Sequence, residues 1–274
     1  MSDEETPTLD DEKLEELVVE GLKATTGRVL QCARHAFHHL ERASQIVDID
    51  PEMAMFRAIT AEEESATAVF FSLRQRRYAN SEKIQLWSHP FKAAVYPFVM
   101  QVYSFLASVS SQFPSIRLRL VEEEAKPHLI WEFLAPDGRW GRPDTPFNFL
   151  VSENQPGQAY HFERQLEDFT QGPAQGNVRK YIEERANTRN LLLYADEAGR
   201  PGVIGGTAET LREQRRRVVR LCLLACMIAP YKERALFVQQ ALNAFLLMMG
   251  KLDKETLEKI EYTPEIREDD EEDA

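Results

Sequence analysis

No stretch of this 274-residue sequence stays apolar for the roughly 20 residues that a membrane-spanning helix needs. The longest run, residues 218–229, is interrupted by Arg220 and stopped by Pro230. Nor does an early segment join a basic start to an apolar run, so the chain reads as cytoplasmic, with no membrane among its partners. Cysteine is scarce. Cys32, Cys222 and Cys226 are too few for a disulfide framework, and the last two stand four apart in an apolar helical pattern, which places them in a reduced core. No further ligands at short spacing accompany them, so no metal and no cofactor is expected. The phosphate-cradling glycine loops, H-E-x-x-H and G-x-S-x-G are all missing. None of the six histidines has a glutamate three residues before it, which removes the Glu-x-x-His motif that di-iron helical bundles require.

The formal net charge of −12 comes from the ends of the chain. Asp3, Glu4, Glu5, Asp10, Asp11 and Glu12 lie in front, and six more acids fill positions 268–273. The body between them is formally neutral. Runs of like charge usually stay solvated. Residues 1–12 therefore read as a disordered acidic N-terminus, 13–260 as a single helical domain, and 261–274 as an acidic disordered tail, with partner-binding tails as the alternative.

Within the body, apolar residues recur at helical spacing. A first pattern covers residues 11–47, with Val29, Ala33, Ala36, Leu40, Ala43 and Val47 on one face and a break at Thr25-Thr26-Gly27. Asp50 as cap and Pro51 as first helical residue start a second helix reaching about residue 77, antiparallel to the first. A third spans about 91–110, with Pro97 kinking it or standing in its first turn. The texture then changes: "SIRLRLV" and "HLIWEFL" alternate with period two, "APDG" supplies a turn, and "FNFLV" at 147–151 offers a further strand. Helical character resumes near Asn177, ends at the loop 199–202, and returns over 207–229, capped by Thr207 and Thr210, and 231–249. The fold class is mainly α, a helical bundle of about six helices with a small antiparallel β insert at about 115–152.

Two charges interrupt apolar stripes. In "FRAITAEEESATAVFFSL" the stripe Phe56, Ile59, Glu63, Ala66, Phe70, Leu73 carries a carboxylate at its centre, and Val178, Ile182, Ala186, Arg189, Leu193 carries a guanidinium. Glu63 reads as a residue at a wet boundary, as half of a structural ion pair, or as a catalytic or ligand-binding group. A buried carboxylate needs a partner and arginine is the cation best shaped to supply one, so Arg189, or Arg185 one turn earlier, is expected to meet Glu63.

The paired helices at about 34–73, with Ala61, Glu63 and Glu64 in a glutamate-rich A-x-E-E segment, resemble the helical hairpin of HEPN-type proteins, particularly their AbiV-like abortive-infection branch. That resemblance implies a bacterial defence or stress protein that binds or cuts RNA, as a homodimer. It also implies a motif of arginine, a polar residue, three positions and histidine on one helix. "RHAFHH" fits with Arg34, His35 and His39. "RNLLLY" fits with Arg189, Asn190 and Tyr194, a tyrosine standing where the family has histidine; a phenol, with its ordinary pKa of about 10, is a poor general base. The candidate catalytic set is Arg189, Asn190, Tyr194, Glu63, His35 and His39. Surface histidines and a transient His35–His39 metal pair are the alternative readings of the histidine cluster.

Arg212, Arg216 and Arg220 recur every four residues and form a row able to meet phosphates of RNA, an acidic protein surface, or the chain's own acidic ends. A non-catalytic interaction module that binds a protein partner through this stripe or through the acidic tails is the second function class. A small-molecule pocket around Trp131 and Trp140 is the third.

Overall fold

The computed structural model describes residues 10–110, 115–135, 137–152, 160–194, 207–260 and 262. The acids at 3–5 and 268–273 and the loop 199–202 lie outside the described residues. Helix α1 (Asp11–Gly21) starts from Asp10, whose carboxylate accepts from the Lys13 amide at 2.7 Å, so the helix begins inside the stretch assigned to the acidic N-terminus. The break expected at Thr25-Thr26-Gly27 is present: a short 3-10 turn (Leu22–Ala24) leads into α2 (Gly27–Ile46). Asp50 caps α3 (Pro51–Gln75) through the Met53 amide at 3.0 Å, and α2 and α3 pack as an antiparallel hairpin.

Helix α4 (His89–Ser110) contains Pro97 in its interior rather than in its first turn. Strands β1 (Ile116–Glu123) and β2 (Lys126–Leu134) pair antiparallel, Leu118 facing Trp131 and Leu120 facing Leu129. Their two-residue connection, Glu124-Ala125, holds both residues at positive φ, the twist that tight hairpins require although neither residue is glycine. The sheet lies against α1 and α7. Gly21 permits this approach, since a Cβ there would stand 3.2 Å from the Cβ of Leu129.

The third strand is not "FNFLV". It is β3 (Trp140–Gly141), paired with Phe133 and Leu134. The 147–151 segment satisfies its backbone elsewhere: the Gln240 side chain accepts from Val151 N at 2.9 Å and donates to Val151 O at 2.8 Å, while Phe149 stacks on Phe237 at 4.8 Å. A buried glutamine thus takes the place of a neighbouring strand.

The chain continues through α5 (Glu163–Gln171), α6 (Val178–Leu193, capped by Asn177), α7 (Ala208–Ile228, with Thr207 and Thr210 forming a reciprocal cap), α8 (Leu236–Met248) and the short α9 (Lys254–Glu258). The molecule is mainly α with a small three-stranded antiparallel sheet. No helix among the described residues is long and apolar enough to cross a membrane. Cys32, Cys222 and Cys226 are free and buried, and burial, ahead of the nearby Glu64, pushes the Cys32 thiol up to about 11.

Helix α3 is the axis of this arrangement, packing against α2, α4, α6 and α7. From Ala61 to Leu73 nearly every side chain is buried, including Glu62 and Glu63. A helix enclosed on most sides has no wet face on which to place its carboxylates.

Candidate functional site

Glu62 and Glu63 are 5% and 6% exposed, low enough that each needs an ionic partner if it is to stay charged. The partners come from three other helices. Arg189 of α6 reaches Glu63, Nη1 to Oε2 at 3.2 Å, and its guanidinium lies over the Phe56 ring at 5.3 Å. His89, the first residue of α4, places Nδ1 2.8 Å from Glu63 Oε1. Arg185, one turn before Arg189, makes a short bond to Glu62 Oε1 and donates through Nε to the Ala93 carbonyl at 3.0 Å. Arg217 of α7 approaches Glu62 Oε2 at 3.4 Å and lies over the Tyr96 ring at 5.3 Å.

The two anomalous charges of the sequence therefore meet. Arg189 takes Glu63, and Arg185 takes the neighbouring carboxylate. Burial opposes the charge on Arg185, but the adjoining Glu62 carboxylate outweighs it and the guanidinium pKa is raised.

A cavity of about 300 Å³ opens beside this cluster, between α3, α4, α6 and α7. Met55, Ile59, Ala93 and Ala186 give it an apolar wall, and Glu62, Glu63, Lys92, Arg185, Gln214 and Arg217 a polar one. Sequence reasoning missed Glu62, His89, Lys92, Gln214 and Arg217. The signal for Glu62 was available, because the segment after it, "SATAVFFSL", is apolar or small all round. Arg217 was legible as part of a basic helix, but its inward direction depends on where α3 and α4 lie.

The other candidates are dispersed. Asn190 is exposed and donates to the Asn187 side chain at 3.0 Å, and Tyr194, at 67% exposure, stands just beyond the end of α6. His35 is exposed on α2, and Arg34 and His38 line a separate open depression of about 490 Å³ between α1 and α2. His39 is half-buried, with Nδ1 enclosed and without a hydrogen-bond partner. Burial, with the neighbouring Arg57 second, holds its pKa below the ordinary 6.5. Among the described residues, no hydrogen bond or ion pair joins His35 or His39 to Glu63 or Arg189, so the six residues of the candidate catalytic set do not form one constellation. No group of three or more His, Cys, Asp or Glu that could hold a metal ion occurs among the described residues.

The arginine row is divided. Arg216 pairs with Asp11 at 2.6 Å and also bonds Glu213, and Arg220 donates to the Tyr96 hydroxyl at 2.9 Å, while Arg212 is exposed. Arg215 beside the row binds Glu15, Nε to Oε2 at 2.6 Å. Of the row itself Arg216 alone meets an acid of α1 among the described residues, and its neighbour Arg215 meets a second. Trp131 faces Phe133 and Phe149 in the sheet layer, and Trp140 lies under Arg117 at 3.8 Å, so both indoles have packing roles.

Compared with family models, curated proteins and solved structures, the chain matches none of them.

Proposed function

We propose that the chain is a HEPN-like bacterial defence or stress protein that binds single-stranded RNA at the exposed end of α6. One observation carries the reading. The Glu62 and Glu63 pairs fix α6 on α3 through Arg185 and Arg189, while Asn190 and Tyr194, the remaining positions of the family-like motif, face solvent. An exposed tyrosine offers a stacking surface for an unpaired base, the asparagine can bond base edges or ribose hydroxyls, and exposed Arg212 supplies a phosphate contact. Binding is better supported than cleavage, since neither His35 nor His39 joins Arg189 and a phenol is a weak base at neutral pH. Filter binding of single-stranded RNA across a salt series tests it. Salt-sensitive binding that weakens in Tyr194→Ala is the expected result, and equal binding by wild type and variant overturns the α6 assignment.

The second reading, a helical interaction module that assembles with itself or with a protein partner, is favoured by the internal neutralisation of Arg215 and Arg216 by Glu15 and Asp11. Light scattering gives its first test. A homodimer that ignores RNA and salt supports the module over the RNA reading.

A further inference from the structure

The cavity between α3, α4, α6 and α7 is lined by three carboxylates and three cations, and two of those cations keep hydrogen-bond donors that the ion pairs around it do not use. Of its three carboxylates, Glu62 is taken by Arg185, Glu63 by Arg189, and Glu213 by Arg216. Two cations on the wall keep most of their donors uncommitted. Lys92 is 7% exposed and, among the described residues, has no carboxylate within ion-pairing distance, only the Trp87 ring at 5.8 Å. Arg217 uses one of its five N–H donors in a long 3.4 Å contact to Glu62, which Arg185 already neutralises. Beside them Gln214, 5% exposed, lines the cavity with its Oε1 buried and without a hydrogen-bond partner. Buried acceptors of this kind are rare in folded proteins, because leaving one unmade is costly.

The uncommitted N–H donors of Lys92 and Arg217 and an orphan acceptor specify a ligand: an oxyanion whose body carries a hydroxyl or N–H donor. We infer that this cavity binds a small phosphate monoester, with Lys92 and Arg217 on the phosphate, the Gln214 amide turning to present its enclosed oxygen to a donor on the ligand body, and Met55, Ile59, Ala93 and Ala186 covering its apolar part. A phosphate monoester carries about −1.5 to −2 at neutral pH and offers the oxygens that an arginine fork and a lysine point charge can share. The volume is at the lower limit of small-molecule pockets, enough for one such molecule and not for a folded nucleic acid. The site is distinct from the exposed end of α6 and stands whether or not RNA binds there.

Isothermal titration of the full chain with glycerol 3-phosphate, adenosine 5′-monophosphate and phenyl phosphate, each against its dephosphorylated parent, tests the inference. A single-stranded oligonucleotide with a 5′-phosphate, run beside its 5′-hydroxyl counterpart, separates an RNA end from a free metabolite as the source of the group. Binding of at least one phosphorylated member and of no parent is expected, weakened about tenfold in Lys92→Gln. In Gln214→Leu the loss should fall on ligands with a donor and spare phenyl phosphate. The same variant should melt higher than wild type without ligand, since it removes a buried unpaired acceptor, and that shift shows that lost binding is not lost folding. Absence of heat for every phosphate at millimolar concentration, or affinity unchanged in both variants, overturns the site. Binding of the oligonucleotides irrespective of the 5′-phosphate, with no effect of Lys92→Gln, leaves the RNA reading and removes this one.

Discussion

Two arginine–carboxylate groups hold helices together in this molecule, and they differ in surroundings rather than in chemistry. The inner one joins Glu62 and Glu63 to Arg185, Arg189 and Arg217, with carboxylate side chains only 7–8% exposed. The outer one joins Asp11 and Glu15 of α1 to Arg215 and Arg216 of α7, where every arginine side chain is at least 36% exposed. The outer bonds are shorter than the inner Arg189 and Arg217 contacts, yet water competes for them, so their net contribution is small. The inner contacts matter because breaking one strands a charge where water reaches it poorly. Distance is therefore a poor guide to which arginines matter here.

The largest effect should follow removal of a carboxylate from the inner group. Glu62→Ala leaves Arg185 and Arg217 without their shared partner and should cost about 3 kcal/mol in urea unfolding, the low end for a buried pair because both guanidinium groups keep some solvent contact. Glu63→Gln keeps a hydrogen-bond acceptor for Arg189 and should cost less, about 1–2 kcal/mol in the same measurement. At the exposed end of α6 the comparison changes from stability to binding. Tyr194→Ala should leave the melting temperature unchanged and weaken single-stranded RNA binding by about 1–3 kcal/mol, the usual value of one stacked base. Glu15→Gln should alter stability by less than about 1 kcal/mol. By freeing Arg215 it should also steepen the salt dependence of any RNA binding, and an unchanged slope would place RNA away from the α1–α7 face.

The smallest expected effect concerns pH. His39 has its pKa lowered by burial, so the unfolded chain binds a proton there more readily than the folded one. Its contribution is therefore neutral well above the unfolded value of 6.5 and turns destabilising as pH falls through it. His39→Gln should flatten the acid side of the stability profile between about pH 8 and about pH 5. An identical profile in the variant would mean that another group controls acid sensitivity.

Much of the fold was legible because its start and stop signals are local. Asp50-Pro51 and Thr207 with Thr210 act where the sequence puts them, and the break before Gly27 coincides with a residue at positive φ. Helix α5 was missed: its cap position is Phe162, at φ 57 and with no side-chain cap, so no start signal exists. "FNFLV" misled because an alternating aromatic pattern describes buried side chains equally well when a glutamine, here Gln240, supplies the backbone partners.

The site was legible to the same extent. A charge inside an apolar stripe points to a partner, and the meeting of Glu63 with Arg189 follows from two such interruptions. Glu62 lay off the stripe and became buried only because α3 is enclosed by four helices. Lys92, Gln214 and Arg217 are ordinary residues on amphipathic helices until the packing of α4 and α7 turns them toward one cavity. The arginine row failed as a unit for the complementary reason, since Arg216 meets Asp11 of α1 and Arg220 meets Tyr96 of α4, both more than 100 residues away in the chain.

The central claim is that the paired carboxylates of α3 bind the early hairpin to the late helices. A double-mutant cycle between Glu62→Gln and Arg185→Met, read by urea unfolding, tests it most directly. A coupling energy of about 1.5 kcal/mol or more is expected for contacting charges in one buried network. Additivity within about 0.5 kcal/mol would show that the two side chains do not depend on one another, and would contradict it.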